Sequence, residues 1–130
     1  MSHYEGGCSC GAIRYEVRAD SKFSFHCQCR QCQRITGSGH ASQIMVPKEA
    51  VTLRGALAYY EQSAESGNRV SSGFCSTCGS PILKMSSGYP DMLFFHAASL
   101  DDPSLFTPQK IVWSTSKQPW DDVDPNLEKL

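Results

Sequence analysis

The chain has seven cysteines among its 130 residues, and they fall into three tight clusters. These are Cys8-Ser9-Cys10, Cys27-Gln28-Cys29-Arg30-Gln31-Cys32 and Cys75-Ser76-Thr77-Cys78. A structural zinc site is closed by four protein ligands, whereas a catalytic one usually has three and keeps a position open. Two pairs make a closed site, and the triplet makes an open one. The pattern predicts two Zn²⁺ per chain, one that builds the fold and one that does chemistry. An odd cysteine count also argues against a closed disulfide framework.

The two pairs read as one site. Cys8 and Cys10, at i and i+2 of an extended strand, point to the same side. Cys75-x-x-Cys78-Gly79 has the form of a zinc knuckle, in which a tight turn gathers two thiolates and the glycine can take a positive φ. Metal binding there would tie the start of the chain to a late hairpin. The alternative for Cys8 and Cys10 alone is a pair of small buried residues.

Cys27 and Cys29 share a strand side in the same way, and Cys32 follows one turn later. Three sulfurs from six residues can therefore cap one metal from a single side. The outer position is left for water, hydroxide or a thiol, whose pKa the metal lowers, and for a carbonyl that it polarises. A fourth protein ligand would close the site instead, with His26, His40 or His96 as candidates. A redox pair Cys29-x-x-Cys32 lacks the βαβ pattern that supports a thioredoxin-like reading. Arg30 and Arg34 could offer forked donors to a carboxylate. Gly37-Ser38-Gly39 could present N–H groups to an anion. Solvated charges and a plain turn are the simpler readings of these last two features.

Hydrophobic residues make up 40% of the chain and charged ones 19%, with a formal net charge of −1, as in a soluble globular protein. The length fits one domain over residues 1–130, with its core between about residues 4 and 120. No apolar run approaches the roughly 18 residues that span a bilayer. Met1-Ser2-His3-Tyr4-Glu5 has no signal-peptide character. A cytoplasmic protein is expected, in a compartment where thiols stay free to bind metal. Without a dense Lys/Arg stripe, neither a nucleic-acid nor a membrane partner is expected. The acidic tail (Asp121, Asp122, Asp124, Glu128) reads as a solvated end.

Ala12 to Arg18 alternates cleanly, with Ile13, Tyr15 and Val17 on one face, as in a half-buried strand. Phe23 to His26, Ala41 to Val46, Val51 to Arg54, Leu57 to Glu61, Arg69 to Phe74, Pro81 to Met85, Met92 to His96 and Lys110 to Trp113 are further strand candidates. Gly6-Gly7, Ser66-Gly67-Asn68, Ser86-Ser87-Gly88 and Asp101-Asp102-Pro103 supply loops. Only Cys29 to Ile35 looks helical. Many short strands with regular turn signals predict a mainly β fold, a sandwich or open barrel.

Gly7-Cys8-Ser9-Cys10-Gly11, His26-Cys27-Gln28-Cys29-Arg30-Gln31-Cys32-Gln33-Arg34 and Gly73-Phe74-Cys75-Ser76-Thr77-Cys78-Gly79-Ser80-Pro81 resemble motifs of one family. Ala98-Ser99-Leu100-Asp101-Asp102-Pro103 and Pro119-Trp120 extend the match, in order, from about Tyr4 to Trp120. The family is that of glutathione-dependent formaldehyde-activating enzymes, also called the centromere protein V type domain. The resemblance implies a β-tent fold of small antiparallel sheets with little helix. It implies a structural zinc on Cys8, Cys10, Cys75 and Cys78 and a catalytic zinc on Cys27, Cys29 and Cys32. It further implies a carbon–sulfur lyase acting on a small thiol such as glutathione and a small aldehyde such as formaldehyde, related through S-hydroxymethylglutathione. A non-catalytic, zinc-structured binding module is the alternative, but it lacks here the basic extension that acidic partners attract.

Overall fold

The structure, a computed structural model, describes residues 3–130. The order of elements is β1 (Tyr4–Gly7), β2 (Arg14–Val17), β3 (Phe23–Cys27), α1 (Arg30–Thr36), β4 (Ala41–Pro47), β5 (Val51–Arg54), β6 (Leu57–Ser63), β7 (Arg69–Cys75), β8 (Pro81–Ser86), β9 (Met92–His96), β10 (Lys110–Val112) and β11 (Glu128–Lys129). The fold is mainly β in two sheets, as the short alternating runs predict. The smaller sheet is antiparallel, in the order β1-β2-β5. The larger has eight strands, β11-β10-β3-β4-β9-β8-β7-β6. It is larger than the sheets the resemblance implies, and it is mixed, because β10 runs parallel to both β3 and β11.

Side-chain alternation gives the larger sheet two working faces. In the β4/β9 ladder Ile44 pairs with Phe95, while Met45 pairs with Phe94, one residue out of phase. Successive side chains of a strand leave on opposite sides. Ile44, Val46, Leu93 and Phe95 accordingly join Ile13, Tyr15 and Val17 of the smaller sheet in the main core. The Tyr15 and Phe95 rings stack with centroids 4.1 Å apart. Phe25, Cys27, Ala41 and Phe94 form a second cluster with Cys32 of α1. The sheet thus separates an apolar core on one side from the triplet cysteines on the other.

Strand β1 replaces the loop expected at Gly6-Gly7. Gly6 bridges to Leu100, and a Cβ there would collide with the Ser99 carbonyl and the Tyr15 hydroxyl. The missing side chain is what admits β1 against its neighbours. The segment after β1 is held by Asp101, whose carboxylate accepts 2.8 and 2.5 Å bonds from the Arg14 guanidinium. Helix α1 ends where Gly37 turns left-handed at φ 69° and donates its N–H to the Gln33 carbonyl. No helix among the described residues is long and apolar enough to cross a membrane.

Candidate metal centres and the adjoining cavity

The seven cysteines are free and form two groups, Cys8/Cys10/Cys75/Cys78 and Cys27/Cys29/Cys32. Within each group the sulfurs all lie within 4.8 Å of one another. A zinc–sulfur bond of about 2.3 Å in tetrahedral geometry sets sulfurs about 3.8 Å apart. The Cys8–Cys10 and Cys10–Cys75 separations of 3.6 and 3.8 Å match that spacing. Both donor sets could hold a metal ion, and the spacing of Cys8, Cys10 and Cys75 is that of a tetrahedral thiolate site.

The first group is built by two turns. Cys8 and Cys10 do not lie on an extended strand, as expected, because β1 stops at Gly7 and the Cys8 carbonyl accepts from the Gly11 N–H at 3.3 Å. The turn, with Gly11 at φ 83°, gathers the sulfurs instead. The Ile13 N–H donates to the Cys8 sulfur at 3.2 Å, and the Thr77 N–H to that of Cys75 at 3.4 Å. The knuckle closes through Gly79, at φ 79°, whose N–H donates to the Cys75 carbonyl. Bonds from the Ser80 hydroxyl and amide hold the Cys78 thiol down to about 5. Such donors favour the anionic form of sulfur, the form a metal binds.

The second group sits at a strand-to-helix junction. Cys27 ends β3, and Cys29 caps α1, its sulfur accepting the Cys32 N–H at 3.3 Å. Cys32 follows in the first helical turn. Cys27 and Cys32 are buried, and Cys29 is half-buried. Thiol donation from Cys27 and Cys32 pulls Cys29 down to about 2, and the same sharing pushes Cys27 up to about 11 and Cys32 far above the ordinary thiol range. A metal binds cysteine as thiolate, so one entering the triplet would displace the thiol protons there.

No histidine or carboxylate among the described residues joins the triplet. His26 Nδ1 is bonded to the Ser42 hydroxyl at 2.8 Å, and His40 Nδ1 to Asp121 at 3.0 Å. His96 is buried on β9. Asp121 departs from the solvated tail expected of it. It is 8% exposed and accepts a 3.0 Å bond from Gln28, the residue between Cys27 and Cys29. Gln33 reinforces the same loop, donating to the carbonyls of Gln28 at 2.8 Å and Ser116 at 3.1 Å. The C-terminal segment is thereby a backing for the triplet. A carboxylate can be buried there because Gln28 and His40 offset its loss of water.

The Gly37–Gly39 segment does not cradle an outside anion. The Gly37 and Ser38 N–H groups are both spent on the Gln33 carbonyl, and a Cβ at Gly39 would overlap Asp121. Arg30 borders the triplet and bonds Gln33, whereas Arg34 is exposed in the last turn of α1.

A cavity of about 350 Å³ adjoins the triplet, bordered by Cys27, Cys29 and Cys32. Phe23, Phe25, Met45, Phe94, Val112 and Trp113 supply much of its wall. Lys84 of β8 also borders it, with Nζ 4.6 Å from the centre of the Phe94 ring. Nothing local in the sequence marks Lys84 as a cavity residue. The available signal was a lysine in phase with Ile82 on an otherwise apolar strand, but only the β8/β9 register, Lys84 opposite Phe94, places it at this cavity.

A mainly β chain with a four-cysteine knuckle and a three-cysteine cap beside a cavity is a metal-capable thiolate protein with an enzyme-like cleft. The sequence model for the glutathione-dependent formaldehyde-activating enzyme matches residues 3–116, and the chain belongs to that family. A protein of Halomonas elongata named "Putative glutathione-dependent formaldehyde-activating enzyme" is 25% identical over 126 residues, covering 92% of this chain and 80% of the relative. A crystal structure of a Rhodobacter sphaeroides protein superposes with a TM-score of 0.60 at 26% identity. That match covers 75% of this chain and 87% of the other.

Proposed function

We propose that the chain is a zinc-dependent enzyme that forms or breaks a thiol–aldehyde adduct, with glutathione and formaldehyde as the first candidate pair. The observation that carries this reading is the triplet: three convergent cysteine sulfurs at a cavity, with no fourth side-chain ligand among the described residues. Cys8, Cys10, Cys75 and Cys78 would hold a structural Zn²⁺, and Cys27, Cys29 and Cys32 a catalytic one. When bound at the triplet, Zn²⁺ would supply an acidified position for a thiol and act as a Lewis acid toward a carbonyl.

The remaining work falls to the chain. Phe25 and Phe94, 4–5% exposed, give the reacting carbon an apolar wall. Arg30 and Lys84 place positive charge beside the triplet, where an incoming thiolate and the oxygen that gains charge in the addition both need it. In the synthetic direction a carbon–sulfur bond forms, the carbonyl π bond breaks, and the proton lost by the thiol ends on oxygen. The addition is intrinsically easy, so positioning is the main contribution asked of the protein.

Cobalt-substituted protein titrated with glutathione tests the proposal. Entry of the thiol at the triplet will intensify the sulfur-to-cobalt charge-transfer band, and the Cys27→Ala variant will not respond. An unchanged spectrum at saturating glutathione overturns the assignment.

A further inference from the structure

The cavity beside the triplet is large and greasy for a one-carbon aldehyde. At about 350 Å³ it falls within the range of sites that enclose whole organic ligands. Formaldehyde would fill a small part of it and would touch little of Phe23, Phe25, Met45, Phe94 or Val112. Such a wall rewards an apolar body, and for a ligand of matched shape each buried methylene is worth a few-fold to tens-fold in discrimination.

Three charged side chains, Arg30, Glu65 and Lys84, border this cavity, and Lys84 is the one set on its aromatic wall. Lys84 lies over Phe94 at 4.6 Å and near Phe25 at 5.8 Å, and no carboxylate ion pair is formed by it among the described residues. The other cation at the cavity, Arg30, already donates to Gln33. An ammonium on aromatic faces that no carboxylate pairs among the described residues can receive an anion, because a pair formed there is less screened than one in water.

A third feature marks the same place. Trp113, at the cavity, is the sole non-glycine residue with positive φ among the described residues, at φ 58° and ψ 35°. A bulky residue rarely adopts this conformation, and such strain gathers at ligand sites. The backbone turn follows directly on Val112, which pairs with Cys27.

We propose that this cavity selects a ligand with an aromatic or branched apolar body and a single carboxylate, the carboxylate paired by Lys84 and the body held against Phe25, Phe94 and Trp113. The proposal rests on the reading of the triplet cavity as the substrate site, and it makes Lys84 a specificity-determining residue. Reactants of the adduct chemistry would then include an aryl or branched-alkyl aldehyde or thiol that also bears a carboxylate.

Calorimetric titration of the zinc-loaded chain with 3-phenylpropionate, 3-phenylpropan-1-ol and propionate tests this. The aromatic acid should bind at least tenfold more tightly than either the alcohol or the short acid. Lys84→Met should bring the acid down to the level of the alcohol measured on the same variant, and Lys84→Arg should restore the preference. In a Trp120→Phe background, fluorescence reports Trp113 alone and should change with the aromatic acid. Equal binding of the aromatic acid and propionate, or a preference that survives Lys84→Met, overturns the proposal. Failure here with thiol entry at cobalt intact removes the ligand class and leaves the adduct enzyme. Selective acid binding with no thiol entry upholds the ligand class and removes the adduct enzyme.

Discussion

His96 shows how strongly one side chain can feel the two-faced sheet. It is 6% exposed, and burial, then the nearby Lys84 ammonium, push its imidazole down to about 4. An unfolded histidine titrates near 6.5. Between about pH 4 and 6.5 the unfolded chain therefore carries a proton that the folded chain refuses, so stability rises with pH in that window. Acidification from pH 6.5 to 4 should remove on the order of 3 kcal/mol, and the loss should level off below pH 4. Urea midpoints of the natural chain and His96→Gln, compared at equal zinc, check this: the variant should lack this part of the slope. Parallel pH profiles would mean that His96 is not held neutral. At this scale the sequence is uneven. Cysteine spacing exposes both ligand groups, because turns and one strand-to-helix junction gather neighbours in sequence. Asp121 reads as tail, and Lys84 stays unmarked within a strand candidate, because their partners, Gln28 and Phe94, are fixed only by distant pairing.

Among the elements, β1 is the least legible. Gly6-Gly7 lacks the β-branched and aromatic residues that mark strands. The structure uses that lack, since the Tyr15 hydroxyl and the Ser99 carbonyl occupy the space of a side chain at Gly6. Gly6→Ala should cost about 1–3 kcal/mol, the usual range for overpacking. A lowered thermal midpoint with unchanged metal content would show it, and a neutral substitution would mean that β1 has room to shift. Strand β2 is the opposite case. Its alternation is plain because one face meets the core, and Ile13, Tyr15 and Val17 are at most 2% exposed. The parallel pairing of β10 with β3 leaves no periodic signal, since it depends on a return from 85 residues away in the chain, as from Phe25 to Lys110; Gln109 N–H to Ser24 carbonyl, at 2.8 Å, marks where that return docks.

Across the whole molecule the proposed function gives the two cysteine groups different duties. The four-cysteine group joins segments 65 residues apart at Cys10 and Cys75, and Cys75 is 1% exposed within the main core. A metal that closes so long a loop contributes directly to folding. Cys75→Ala should abolish the cooperative thermal transition followed by far-ultraviolet circular dichroism. Cys27→Ala should keep that transition while lowering bound zinc from two ions to one. Loss of folding in both variants would make the triplet structural as well. The mainly β architecture and the division of cysteines into four and three are legible from spacing alone. The eight-stranded order and the cavity's aromatic wall are not, because they arise from registers that no local pattern encodes.

The C-terminal backing of the triplet also has a meaning in time. During synthesis the knuckle cysteines are complete once Cys78 has left the ribosome, but Asp121, which braces Gln28, emerges later. At roughly 5–20 residues per second that interval lasts a few seconds. The nascent chain therefore completes its four-cysteine group while the triplet waits, unbraced, for the last segment to arrive. Premature termination between these points would yield a product with all four knuckle cysteines and an unbraced triplet.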